Sequence, residues 1–146
     1  MTDYNYGEIA KNVVKQIERH ILVNKPHLIH IIQYSKGRVT NEDANEIIRK
    51  MMDEKKIEEH LALSKKERPY SFYTLATESK NLGRIIAPLL AALTQRKELS
   101  ILEASRLTGY SDLVVRTLFT HLLLEGKIDF HGDLDSPVFF VPWDET

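Results

Sequence analysis

Cysteine is absent from all 146 residues. Its absence excludes disulfides, thiolate zinc sites and cysteine nucleophiles, and it fits a reducing, cytoplasmic setting. Long apolar runs are missing too. None approaches the ~20 residues of a membrane span, and residues 1–12 lack the apolar core of a secretory signal. Glycine is scarce and scattered, with 6 in all, and none of them builds a phosphate-cradling loop. No serine stands in a G-x-S-x-G elbow. His27 and His30, with His20 nearby, have no carboxylate beside them as in H-E-x-x-H, so no metal is expected there. Asp133 and Asp135 start like a calcium loop, but Pro137 and Val138 replace the oxygen ligands and the segment reads as a turn. Without a catalytic constellation, the chain is expected to be no enzyme and to use no cofactor.

What is present is ordinary in amount and uneven in layout. A hydrophobic fraction of 42% with 28% charged residues belongs to the globular class. The net charge of −1 hides an asymmetry: residues 1–100 hold 17 Lys and Arg against 13 Asp and Glu, while residues 101–146 hold 3 against 8. The end of the chain is therefore unsuited to phosphates, and the front tolerates them.

The chain also carries one ending twice. Met52-Asp53-Glu54-Lys55-Lys56-Ile57 and Leu123-Leu124-Glu125-Gly126-Lys127-Ile128 each close a helical stretch and open a strand-like one, with Ile57 and Ile128 71 positions apart. Gly37 and Gly109 precede these isoleucines by 20 and 19 residues. A repeat of about 70 residues is the size of a minimal domain rather than a solenoid unit. Such a domain buries only about 60% of its unfolded surface, so the two copies are expected to pack together.

Apolar positions Ile9, Val13, Val14, Ile17 and Ile21 predict a helix over 7–24, ended by Pro26. Residues 27–36 predict a short helix closed by Gly37, and Thr40 or Asn41 caps a third that runs to about Lys55. IEEHLALS and YSFYTLAT around a charged turn predict a hairpin. The second copy repeats the order. A helix over 81–95 is interrupted or started by Pro88, a short one over 100–108 ends at Gly109, and a third over 111–125 is capped by Ser111 or Asp112. A hairpin over 128–143 turns at Asp135-Ser136-Pro137. The fold class is mainly α with small β-hairpins (α+β), in domains 1–77 and 78–146.

Helix, helix, turn, helix, hairpin is the order of the winged-helix domain, and the chain resembles a tandem winged-helix protein over nearly its whole length. The resemblance rests on the Gly37 and Gly109 turns, the capped third helices and the MMDEKKI and LLLEGKI junctions. It implies two tandem winged-helix domains packed together. For regulators it implies DNA binding by a third helix and wing. Tandem winged helices also serve as protein adaptors, as in the ESCRT-II membrane-sorting complex and in partners of SMC-type condensins. No adaptor-specific motif accompanies the pattern here.

A DNA-reading helix must offer donors to base edges and phosphates. On the first third helix, Asn41, Asn45 and Arg49 form an i, i+4, i+8 stripe able to pair with adenine and guanine. Beside it stand Glu42, Glu46 and Asp53, which repel phosphates. The first wing carries Lys65, Lys66 and Arg68 beside Tyr70, Phe72 and Tyr73, a basic tip suited to a nucleic-acid backbone. Against this stands a plain alternative, a solvated helix face and a solvated hairpin end. The second third helix presents Leu113, Thr117, Thr120 and Leu124, with Arg116 and His121 at the sides and no lysine. That face suggests a protein contact, with self or with a partner, unless other parts of the chain cover it. Two functions follow. The leading one is a DNA-binding regulator or DNA-associated factor acting through the first domain, with the second domain for protein contacts, located at the nucleoid or nucleus. The other is a protein adaptor that binds no nucleic acid.

Overall fold

The computed structural model describes residues 4–35 and 38–142. They form six helices and two three-stranded antiparallel sheets, an α+β fold. The residues divide into two compact units. One holds the chain to His60 together with Ser71–Leu82; the other holds Leu61–Tyr70 together with the chain from Gly83.

The elements of the first repeat are α1 (Tyr6–His20), β1 (Val23–Asn24), α2 (Lys25–Gln33), α3 (Asn41–Asp53), β2 (Ile57–Leu63) and β3 (Pro69–Leu75). Asn5 caps α1 by accepting from the Glu8 amide. Pro26 does not end α1 as the sequence suggests. It lies in the first turn of α2, where its missing N–H costs nothing, and Asn24 caps that helix by accepting from the His27 amide. The chain instead leaves α1 at Ile21, whose φ of 75° lets β1 turn back to pair with β3. The expected closure at Gly37 lies outside the described residues. Thr40 caps α3 in a reciprocal box with Asp43. Ile9, Val13 and Ile17 of α1, Leu28 and Ile32 of α2, and Ala44, Ile47 and Met51 of α3 form the core of this unit with Tyr73. The Tyr73 ring is buried while its hydroxyl donates to Glu59 at 2.5 Å.

The second repeat runs α4 (Leu82–Arg96), β4 (Glu98–Ser100), α5 (Ile101–Thr108), α6 (Asp112–Leu124), β5 (Asp129–His131) and β6 (Val138–Phe140). Helix α4 runs through Pro88 rather than starting there; Pro88 is exposed, where water can replace the lost bond. Lys97, at φ 72°, plays the part of Ile21 and leads into β4. Gly109 closes α5 in the left-handed conformation. Both sheets share one order, β1-β3-β2 and β4-β6-β5, with the short first strand beside the last. Phe119 of α6 meets Phe139 of β6 at 4.6 Å between ring centroids, and Leu89, Leu93 and Leu118 are also fully buried.

The repeated ending is a repeated structure. The amides of Glu54, Lys55 and Lys56 donate to the carbonyls of Lys50, Met52 and Met51; those of Glu125, Gly126 and Lys127 donate to His121, Leu123 and Leu122. Both are Schellman closures with one left-handed residue, Lys55 at φ 59° and Gly126 at φ 74°. A Cβ at Gly126 would meet nothing within 4 Å, so only backbone strain opposes a side chain there. Gly126→Ala should therefore cost about 1 kcal/mol in denaturant unfolding, and Lys55→Gly should gain less than about 1 kcal/mol, since glycine also loosens the unfolded chain.

Acid tests a second local device. Ser100 and Glu103 cap α5 reciprocally, at 3.0 and 3.2 Å. The bond from the Ser100 backbone amide, and then its side chain, hold the Glu103 carboxyl below its ordinary value of 4.5. A carboxyl lowered on folding gives stability that is complete above its unfolded value and is lost as pH falls through its folded one. Thermal unfolding should show wild type losing stability below pH 4.5, and Glu103→Gln losing less over the same range.

Candidate interaction surfaces

The six residues expected to contact nucleic acid fall into different units: Asn41, Asn45 and Arg49 in the first, Lys65, Lys66 and Arg68 in the second. In the first unit the stripe is partly engaged. Asn41 accepts from Gln33 Nε2 at 2.8 Å, and Asn45 Nδ2 donates to the Asn41 carbonyl at 3.0 Å. Arg49 is exposed, and so are Glu42, Glu46 and Asp53. The Lys50 ammonium lies 4.1 Å from the Tyr6 ring centroid, so it is held against that ring by cation–π attraction. The Tyr6 hydroxyl in turn donates to Glu54 at 2.6 Å.

The tip of the first hairpin, residues 61–70, belongs to the second unit and is seated on α6. Ser64 shapes it: its hydroxyl accepts from the amides of Lys66 and Arg68, and its own amide donates to the Arg68 carbonyl. Three polar fastenings hold the tip down. His121 Nδ1 lies 2.8 Å from the Leu61 carbonyl, the Tyr70 hydroxyl meets Thr117 Oγ1 at 3.0 Å, and Lys65 pairs with Asp135 at 3.4 Å. His121 Nε2 also stands 3.4 Å from Glu125. Lys66 and Arg68 remain exposed and have no ion-pair partner among the described residues.

This seat changes the face of α6. Thr117 and Thr120 are each 1% exposed, whereas Leu113 is 63% exposed and Leu124 43%. Only the two ends of the Leu113/Thr117/Thr120/Leu124 row therefore face solvent. On the other flank Arg116 donates to the carbonyls of Leu134 and Asp135, at 2.5 and 3.3 Å, and so holds the second hairpin's turn. Within that turn Asp133 accepts from the amides of Asp135 and Ser136.

The repeat makes the contrast legible position by position. At the 71-residue offset, Thr117, Thr120 and His121 correspond to Glu46, Arg49 and Lys50. The same helical face is charged and exposed in α3 but buried in α6, where two threonines and a histidine replace it. The missing lysine on α6 marked this in the sequence. Tyr70 and His121, which make the fastenings, carried no comparable signal.

His20 and His27 meet edge to face at 5.1 Å. Burial, and then the neighbouring His20 and His30, lower the pKa of His27. No group of three or more His, Cys, Asp or Glu among the described residues could hold a metal ion. An open cleft of about 500 Å³ is lined by Leu93, Lys97, Glu98, His131 and Phe140. There Glu98 and His131 stand 3.9 Å apart, beyond hydrogen-bond reach. No helix among the described residues is long and apolar enough to cross a membrane. Comparison with protein-family models and with curated proteins finds no match.

The buried hydroxyl pair gives a direct check of the seat. Tyr70→Phe leaves the Thr117 hydroxyl without its partner under the tip. Denaturant unfolding should show a loss of about 0.5–1.5 kcal/mol, and Tyr70→Phe with Thr117→Val should recover part of it.

Proposed function

We propose that the chain is a non-catalytic tandem winged-helix protein that works as an adaptor, through protein contacts. The order helix, strand, helix, helix, hairpin in both repeats, with matching sheet orders, supports the winged-helix assignment. The observation that carries the adaptor reading is the burial of Thr117 and His121 where Tyr70 and Leu61 of residues 61–70 meet them. A helix that reads a groove must present its outer side chains to bases, and α6 has that row closed off. Acidic residues Asp129, Asp133 and Asp135 of the second hairpin add repulsion toward phosphates. The exposed leucines at the two ends of α6 supply apolar anchors of the kind found in interface cores.

A second reading keeps DNA as the partner of the first repeat. It draws on one observation: Arg49, Lys66 and Arg68 are exposed cations without ion pairs among the described residues. Binding of purified protein to mixed duplex DNA at about 50 and 200 mM salt separates the two, because phosphate contacts weaken steeply across that range. The adaptor reading predicts no binding at the lower salt. Tight binding that collapses at the higher salt, and that Lys66→Ala with Arg68→Ala weakens, would establish the DNA reading instead. Leu113→Glu with Leu124→Glu should leave thermal unfolding within about 0.5 kcal/mol of wild type, because both side chains are already wet.

A further inference from the structure

The hairpin tip has a divided allegiance. Residues 61–70 belong to the second unit, while the strand residues on either side, Ile57–His60 and Ser71–Leu75, belong to the first. The tip is therefore bonded within the second unit and joined at both ends, along the chain, to strand residues of the first. We propose that residues 61–70 are an exchangeable strap, and that α6 takes the strap of a second copy of this chain in place of its own, giving a reciprocal dimer.

Three observations support exchange over permanent closure. First, the fastenings are polar: the Leu61 carbonyl on His121, the Tyr70 hydroxyl on Thr117, and Lys65 on Asp135. Second, the floor they meet is polar as well, since Thr117 and His121, the groups bonded by Tyr70 and Leu61, are buried. Water can satisfy all of these when the strap lifts, whereas an apolar floor would resist exposure. Of the strap's own side chains only the small Ala62 is fully buried. Third, the charges match between copies as they do within one. The strap carries Lys65, Lys66 and Arg68 against a single Glu67, and the turn it meets carries Asp133 and Asp135. Such complementarity steers encounter and fixes orientation. The exchanged dimer needs no new interface, because each seat is filled by the same residues. The inference is independent of whether the outside partner is DNA or protein.

The tethered strap competes at an effective concentration in the millimolar range, so exchange is sought at about 1 mM protein over a long incubation. The lack of native cysteine makes the test clean. Lys65 and Asp135 have side chains 60% and 74% exposed, so Lys65→Cys and Asp135→Cys should both fold. The two single variants are mixed, incubated and treated with a short bis-maleimide. A control mixture pairs Lys65→Cys with Glu8→Cys, a site on α1 of the first unit. The strap predicts at least about tenfold more covalent dimer from the first mixture than from the control, falling as dilution favours the tethered strap. Equal yields from the two mixtures, with the double variant bridged within one chain, would show a strap that never exchanges. Failure of the double variant to bridge at all would show that the strap is not seated on α6, and would equally overturn the proposal.

Discussion

The second repeat depends on how three polar side chains of α6 are buried. Thr117, Thr120 and His121 lie out of water on a helix whose opposite side is fully apolar. Buried polar groups are tolerated only with partners. Thr120 finds them in its own helix, in the carbonyls of Arg116 and Thr117. Thr117 and His121 find theirs in Tyr70 and Leu61 of the first hairpin. The second unit is thus completed by residues that the chain supplies from its first repeat.

That dependence explains why two similar repeats have different surfaces. Both close their third helix with the same three-bond motif, and both sheets follow the same strand order. They diverge at the outer face of the third helix. In α3 it is Glu46, Arg49 and Lys50, all exposed; in α6 it is Thr117, Thr120 and His121, all buried. The charge asymmetry along the chain fits the same division. The basic strap residues come from the front, and the acidic turn that receives Lys65 comes from the end.

Much of this was legible in the residues. Apolar spacing and the repeated order placed helices where α1 to α6 lie; Gly109 marked the end of α5, and Thr40 and Ser111 were each one of two residues offered as caps of α3 and α6. What escaped had no local chemistry to announce it. Strands β1 and β4 are two and three residues long, and each follows a left-handed residue, Ile21 or Lys97, that is not glycine. Pro26 marked a helix boundary but named the wrong side of it, because proline at a first turn and proline after a last turn look alike in one sequence. At the candidate surface, the lack of lysine on α6 hinted at contact without saying with what. The cover comes from 47 to 60 residues upstream, at Tyr70 and Leu61, a separation no local pattern spans.

The central claim is that residues 61–70 seal the middle of the α6 outer face, and thiol labelling tests it most directly. The chain has no cysteine of its own, so Thr117→Cys, under the Tyr70 hydroxyl, and Leu113→Cys each report one position on the same helix. The account predicts that a maleimide labels the first at least about 100-fold more slowly than the second, as expected for a site reached only by local opening. Equal rates would place Thr117 in open solvent and contradict the seat on which both the adaptor reading and the strap depend.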